Sequence, residues 1–278
     1  TVGRLQFDNA NSYRIAAAGA GDQLTLQSTG TSSIVQVFRG SHTIAAPLSV
    51  ASESLVWINP GSQLTLSGGV DAAGNRVTLD GGGDLVTTSN VSGTGPLYVL
   101  NGTLTQRTGS VSIANELNVG RTPAAGAAIY TMAPTSGDLN VNNLSVGIRG
   151  GNGVFNQLGG NVTTGETWIG ENPGSTGVYN QSAGHLQVNG WFNVGRDGGG
   201  EYHLTGGNFD MQIAGDNRFM VGFASRGVVT QSAGTTINAH NTYVGLNSGK
   251  ASGDGHVSTA GNFNASNLYV GRGGIGDT

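Results

Sequence analysis

A valine or isoleucine followed by glycine recurs seven times in the second half of the chain. Successive copies of this glycine are 27, 23, 25, 27, 23 and 26 residues apart. The seven positions are Gly120, Gly147, Gly170, Gly195, Gly222, Gly245 and Gly271. A nearly fixed period of about 20 to 50 residues is typical of solenoids and propellers, in which each repeat is one supersecondary unit. This period constrains the fold more than any other feature of the sequence.

The same period carries a second motif, in which a glycine is followed by an aromatic or apolar residue and then by a glycine-containing turn. Its copies read GVFNQLGGNV from Gly153, GVYNQSAGHL from Gly177, GEYHLTGGNF from Gly200, GVVTQSAGTT from Gly227 and, slipped by one residue, GHVSTAGNF from Gly255. Each period thus contains about three short strands. A propeller blade needs four strands and about 40 residues, whereas three strands in about 25 residues fit one coil of a parallel β-helix.

One coil of such a helix cannot bury its own inward side chains, so coils must stack about 4.8 Å apart to enclose a continuous core. Glycine suits the corners because sharp turns often require a positive φ. We therefore predict that the valine of the first motif and the aromatic residue of the second point inward. The residues concerned are Val194, Val221, Val244, Val270, Tyr179 and Tyr202.

The first 116 residues repeat less clearly and contain 16 of the 50 glycines. Alternating apolar runs such as QLTLQS and SIVQVFRG persist there and indicate strands. We predict that residues 1–116 form longer, less regular coils and that residues 117–278 form regular glycine-rich coils of about 25 residues. The predicted fold class is all-β, a parallel β-helix of about 11 coils with three short strands per coil, roughly 50 Å long.

Composition excludes several classes of protein. Only 10% of residues are charged and the net charge is −4, so nucleic-acid binding has no electrostatic basis. The sequence contains no cysteine, which rules out disulfides and thiolate metal sites. It also contains no apolar run of about 18 residues, so we expect no membrane insertion by this segment.

Parts of the sequence resemble known secreted bacterial proteins. RLQFDNANSY, SHTIAAPLSVASESLVWINPGSQLTLSGGV and LYVLNGTLTQ resemble autotransporter-associated β-strand repeats. GVYNQSAGHLQVNGWFNVGRDGGGEYHLTGGNF resembles repeat-rich surface proteins of Planctomycetes and related bacteria. Together these resemblances cover nearly the whole chain. They imply secretion, a β-helical passenger and an adhesive, scaffold or matrix role, and they bring no catalytic motif.

The acidic residues do not cluster as they do in polysaccharide-degrading β-helices, which need grouped carboxylates. Most adjoin Gly, Asn or Ser, where Asp stabilises turns. The histidines lack the i, i+4 spacing of metal ligands. We expect no catalytic, cofactor or metal site. The best candidate for a ligand site is a corner formed by Trp191, Arg196, Asp197 and Glu201.

The residue after each motif glycine varies: Arg121, Ile148, Glu171, Arg196, Phe223, Leu246 and Arg272. Stacking would place Glu171 and Arg196 at the same corner of adjacent coils. One interpretation is an exposed ion pair, worth about 0.5 kcal/mol. The other is a mixed aromatic and arginine stripe that binds glycans.

We therefore expect a structural or adhesive segment of a secreted or surface-displayed bacterial protein, located outside the cell. Because the chain begins with Thr1 and ends within a repeat, we expect a processed chain or a piece of a longer one. The expected partners are other copies or neighbouring segments, which would stack on the ends, and surface glycans. TVGRL at Thr1 echoes YVGRG at Tyr269 and suggests such stacking. The alternatives are a carbohydrate-binding or polysaccharide-degrading β-helix and, third, a trimeric tailspike.

Overall fold

A computed structural model describes residues 1–123, 126–246 and 253–271. Within these ranges the protein is all-β, contains no helix, and pairs its strands in parallel throughout. The first fourteen strands are β1 (Arg4–Asp8), β2 (Arg14–Ile15), β3 (Leu24–Leu26), β4 (Ser33–Arg39), β5 (Ser41–Ile44), β6 (Leu48–Val50), β7 (Ser54–Ile58), β8 (Gln63–Leu66), β9 (Val70–Asp71), β10 (Val77–Asp80), β11 (Asp84–Thr87), β12 (Val91–Gly93), β13 (Leu97–Val99) and β14 (Gly102–Gln106).

The remaining strands include several of eight or nine residues. They are β15 (Val111–Val119), β16 (Ala128–Met132), β17 (Leu139–Val146), β18 (Asn152–Gln157), β19 (Asn161–Ile169), β20 (Thr176–Gln181), β21 (His185–Val188), β22 (Phe192–Val194), β23 (Gly199–Leu204), β24 (Asn208–Met211), β25 (Arg218–Val221), β26 (Arg226–Gln231), β27 (Thr236–Val244), β28 (Asp254–Thr259) and β29 (Asn262–Val270).

Three faces alternate along the chain, as the repeat predicts. One face is an eleven-stranded sheet, called here the tyrosine sheet, which runs from β2 through β5 and β20 to β28. The other eighteen strands form a second sheet with two halves. The valine half contains the Val-Gly motif, and the leading half precedes it in each coil. Long strands belong to both halves: β15 pairs with β12 through its first residues and with β13 through its last.

The described chain is therefore a stacked parallel β-solenoid with three strands per coil. The tyrosine sheet takes one strand from each coil, and its eleven strands mark about 10 turns. This confirms the predicted fold class and comes close to the predicted 11 coils.

Inward-pointing valines form a column along the core, because parallel pairing without a register shift places the same motif position above itself. Val194 and Val221 are fully buried, as predicted. Val244 is only partly buried and Val270 is 72% exposed. The prediction of a buried Val270 is wrong because no further described coil covers it.

Aromatic rings stack inside the tyrosine sheet. Tyr130 and Phe155 lie parallel with ring centroids 5.1 Å apart, Phe155 and Tyr179 are 4.6 Å apart, and Tyr179 and Tyr202 meet edge to face at 5.5 Å. All four rings are fully buried. Such pairs contribute about 0.5–1.5 kcal/mol beyond the burial of their surface. The predicted inward placement of Tyr179 and Tyr202 is confirmed.

The motif glycines all have a positive φ, between 63° and 74°. At Gly195 φ is 74°, and a Cβ atom would lie 2.3 Å from the carbonyl oxygen of Arg226 in the next coil. Only glycine fits such a corner, because the backbone of the adjacent coil occupies the place of a side chain.

Coil length in the first part of the chain differs from the prediction. Leu64, Leu85 and Leu104 occupy one position in consecutive coils, at intervals of 21 and 19 residues. The later coils from Phe155 to Tyr179 and on to Tyr202 take 24 and 23 residues. The early coils are shorter because their strands are mostly of two to four residues.

The echo between the two ends of the sequence does not correspond to equivalent positions. Val2 pairs with Leu26, which belongs to the leading half, whereas Val270 pairs with Val244 in the valine half. Gly271 has a φ of 63°, while Gly3 has no positive φ. Residue 272 and those after it lie outside the described residues.

Candidate functional site

The outward positions of the valine half form a continuous row, called here the outer row. Its members pair in register from coil to coil: Tyr98, Asn118, Ser145, Trp168, Asn193, Met220, Tyr243 and Tyr269. Outward side chains of a solenoid normally face water. Here most of them are buried, and Asn118 and Asn193 are almost inaccessible. Something must cover the outer row.

The cover comes from the residues that follow the motif glycines. Their backbone continues the parallel ladder past the corner, as in the hydrogen bonds from Glu171 N to Gly147 O (3.0 Å) and from Arg196 N to Gly170 O (3.1 Å). Their side chains fold back over the outer row of the preceding coil. The guanidinium of Arg121 lies 4.5 Å from the ring centroid of Tyr98, and that of Arg196 lies 4.8 Å from the ring of Trp168.

The predicted stacking of Glu171 and Arg196 is confirmed. Glu171 Oε1 and Arg196 Nη1 are 3.9 Å apart, and Glu171 Oε2 also accepts a 3.1 Å hydrogen bond from Ser145. Burial raises the pKa of the Glu171 carboxyl above its ordinary value of 4.5, although Ser145 and Arg196 lower it. The predicted stripe of aromatic and arginine side chains also exists as geometry, so the ion pair and the stripe are one structure.

Two tryptophans meet on this surface. The ring centroids of Trp168 and Trp191 are 6.2 Å apart, and the guanidinium of Arg218 lies 5.1 Å from the ring of Trp191. Asn193 pairs in register with Trp168. These five residues, Trp168, Trp191, Asn193, Arg196 and Arg218, are called here the tryptophan cluster.

The four residues proposed from the sequence as a ligand corner divide into two groups. Trp168 contacts both Trp191 and Arg196, and Arg196 Nε lies 3.6 Å from the carboxylate of Asp197. Glu201 belongs to the tyrosine sheet and has other partners.

Glu201 forms a separate polar group on the outside of the tyrosine sheet. Its carboxylate lies 3.1 Å from both Arg226 Nη1 and His203 Nε2, and His203 Nδ1 lies 2.7 Å from the hydroxyl of Thr230. The hydrogen bond from Arg226 is the main reason that the pKa of Glu201 is lowered, and His203 contributes to it.

An acid, a histidine and a hydroxyl in sequence are reminiscent of nucleophilic catalysis. Nucleophilic catalysis of acyl transfer also needs free N–H donors for the developing oxyanion. Around Thr230, the parallel pairing of β23, β26 and β28 engages the backbone N–H groups. Within the described residues, Glu201, His203 and Thr230 thus form a hydrogen-bonded surface chain without an oxyanion hole.

The described residues contain no group of three or more His, Asp or Glu side chains placed to hold a metal ion. The described part of the chain also has no helix with the length and apolarity needed to cross a lipid bilayer.

Sequence reasoning missed Trp168, Asn193 and Arg218. The register was the available signal: Trp168 and Asn193 both precede a motif Ile-Gly or Val-Gly pair, so stacking places them side by side. The contact between Arg196 and Trp168 depends on the direction of a side chain, which the spacing does not specify.

No protein-family model, curated protein or solved structure matches this chain.

Proposed function

We propose that the chain is a rod-like structural segment of a secreted or surface-displayed bacterial protein, and that it lengthens by accepting another β-coil on its last described coil. The observation that carries this proposal is the apolar surface at that coil. Val270 is 72% exposed and Leu268 is 59% exposed. In all preceding coils but one, the position of Val270 is held by a buried Val, Ile or Leu.

The exposed surface has the shape of an interrupted core. Val270 and Leu268 share a concave surface with Val244, Val257 and Phe263. Within the described residues, β28 pairs only with β26, so its other edge is available for hydrogen bonding. An apolar surface beside an open strand edge favours pairing with a further strand.

The opposite end supplies a matching surface on a second copy. Leu5 and Leu24 are partly buried there and Tyr13 is 49% exposed. Val2 already pairs with Leu26. A second copy would therefore pair chiefly through the valine half and the tyrosine sheet.

Location outside the cell is supported by the resemblance to autotransporter-associated repeats and to repeat-rich surface proteins. A rod of stacked coils suits a stalk, matrix or adhesin, in which the distance between attachment points is the useful property.

Sedimentation velocity over a wide concentration range tests the stacking. We expect parent chains to form end-to-end oligomers, and Val270→Glu to abolish them by placing a charge in the apolar surface. Ile213→Glu is the matched control, because Ile213 is 64% exposed but lies away from this end. A parent chain that stays monomeric at all concentrations, or equal association of Val270→Glu and the parent, would overturn the proposal.

Among the alternatives, saccharide binding has specific support in the tryptophan cluster. Saccharide cleavage does not, because the described carboxylates in that cluster are engaged in ion pairs with Arg196 and Arg218.

A further inference from the structure

The amide of Asn193 is unusual because it is buried without protein partners. Its side chain is 1% exposed, and neither Oδ1 nor Nδ2 has a hydrogen-bond partner among the described residues. Buried polar groups in native proteins are nearly always satisfied, and an unpaired one costs about 1–3 kcal/mol. An amide that lacks both a donor and an acceptor suits a ligand group that supplies both.

Other outer-row positions show how such a group is satisfied internally. The hydroxyl of Tyr98 hydrogen-bonds to Glu116, and that of Ser145 to Glu171. Asn118 is also unpaired, but its neighbours in the row are Tyr98 and Ser145 rather than a tryptophan. Asn193 alone combines an unpaired amide with an adjacent pair of tryptophans among the described residues.

The side chain of Arg196 is the movable part of the cluster. It is 40% exposed, and its ion-pair distances to Glu171 and Asp197 are 3.9 and 3.6 Å. Both exceed ordinary hydrogen-bond lengths, and no hydrogen bond of this guanidinium is found in the described residues. Rotation of an exposed side chain takes picoseconds to nanoseconds, so Arg196 can leave the face of Trp168 at small cost.

The local charge is balanced. Arg218 forms a bidentate pair with Asp216 at 2.8 and 2.6 Å, and Arg196 lies between Glu171 and Asp197. Because no net positive charge is left over, the cluster does not favour an anion.

From these observations we propose that the tryptophan cluster binds a neutral saccharide. Two adjacent hydroxyls of a sugar ring donate to Oδ1 and accept from Nδ2 of Asn193. The ring's apolar C–H face packs on the indole of Trp168 after Arg196 moves aside, and Trp191 forms the wall of the site. Coils about 4.8 Å apart present similar positions along the rod, which suits an extended glycan better than a single sugar. This inference is independent of end-to-end stacking.

Titration of tryptophan fluorescence and calorimetry with cellohexaose and laminarihexaose test the site, with polygalacturonate as an acidic comparison. The parent should bind at least one neutral oligosaccharide saturably. Trp191→Ala and Asn193→Leu should each weaken binding by at least about tenfold. The matched control is Trp57→Ala, because the indole N–H of Trp57 is already satisfied by Asn59 at 2.9 Å.

Asn193→Leu also separates binding from folding. Removal of an unpaired buried amide should raise the melting temperature while binding is lost, so a loss of affinity cannot be attributed to unfolding. The proposal is overturned if neither neutral oligosaccharide binds, if only polygalacturonate binds, or if Asn193→Leu binds as tightly as the parent. Sedimentation behaviour does not enter these outcomes, so failure of the stacking proposal would be recognised separately.

Discussion

The hydroxyl of Tyr179 donates a 2.9 Å hydrogen bond to Oε1 of Gln157, which lies one coil earlier inside the solenoid. Nε2 of the same glutamine donates to the carbonyls of Gly160 and His185, both at 3.1 Å. Burial raises the pKa of Tyr179 well above 10.0, so its hydroxyl remains a donor. One glutamine thus joins two consecutive coils through fully buried polar contacts.

The relationship recurs wherever the stack contains a tyrosine. Tyr130 bonds to Gln106 at 3.0 Å and Tyr202 to Gln181 at 2.6 Å. Where the glutamine position holds Met132 or Leu204, the next coil carries Phe155 or Val229, which have no hydroxyl. The match between neighbouring coils penalises a slip of register, because a slip would leave buried polar atoms unpaired.

Tyr179→Phe should lower the free energy of unfolding by about 1–3 kcal/mol, since it leaves Gln157 Oε1 buried without a donor. Tyr179→Phe combined with Gln157→Met should recover part of the loss, because Met132 and Phe155 occupy these positions one coil earlier. Denaturant unfolding measures both variants. Equal stability of the single variant and the parent would contradict the importance of the pair.

Gly195→Ala should destabilise the protein by at least about 2 kcal/mol, because the left-handed conformation and the close carbonyl of Arg226 both act against a side chain. Gly199→Ala is the control four residues away. Its Cβ would lie 4.0 Å from the nearest atom and its φ is not positive. Thermal unfolding of the two variants compares them, and similar melting temperatures would show that the corner tolerates a side chain.

The coil architecture could be predicted from sequence because the constraint is local and repeated. A glycine such as Gly195 is needed at every corner, and stacking then determines which face its preceding valine takes. The short early coils could also have been found: Leu64, Leu85 and Leu104 follow one another in similar strand patterns. Their spacing was obscured by the absence of the Val-Gly motif.

The tryptophan cluster could be predicted only in part. Trp191 and Arg196 stand out as unusual residues within their repeat, but the side chain that joins them, Trp168, comes from the previous coil. The direction in which Arg196 folds back decides that contact, and periodicity carries no information about it. For the same reason the sequence places Glu201 near Asp197, although its carboxylate is held by His203 and Arg226.

Thr87→Val should stabilise the protein by about 1 kcal/mol. The hydroxyl of Thr87 is buried, has no hydrogen-bond partner in the described residues and borders a small apolar cavity with Leu66 and Leu104. Replacement of an unpaired hydroxyl by a methyl group removes its desolvation cost. Thr105→Val, at a partly exposed outward position, should have little effect. A decrease in the denaturation midpoint for Thr87→Val would show that the hydroxyl is satisfied in solution.

The carboxyls of Glu171 and Glu201 should affect the pH dependence of stability with opposite signs. Burial raises the pKa of Glu171 above 4.5, so the folded state binds this proton more tightly than the unfolded state. Stability from Glu171 is therefore greatest in acid and falls as the pH rises from 4.5 through the higher folded pKa. The pKa of Glu201 is lowered by Arg226 and His203, so its contribution is present above pH 4.5 and is lost as the pH falls through the lower folded value.

Two amide variants separate these effects. Glu171→Gln should raise the melting temperature at about pH 7 and change it less at about pH 3.5, where the glutamate is already protonated. Glu201→Gln should lower the melting temperature at neutral pH, and the difference should shrink in acid. Glu201 is more exposed than Glu171, with 38% against 19% of its side chain accessible, so solvent screens its interactions and its effect should be the smaller. Shifts of the same sign at neutral pH would contradict the assignment of burial as the dominant influence on Glu171.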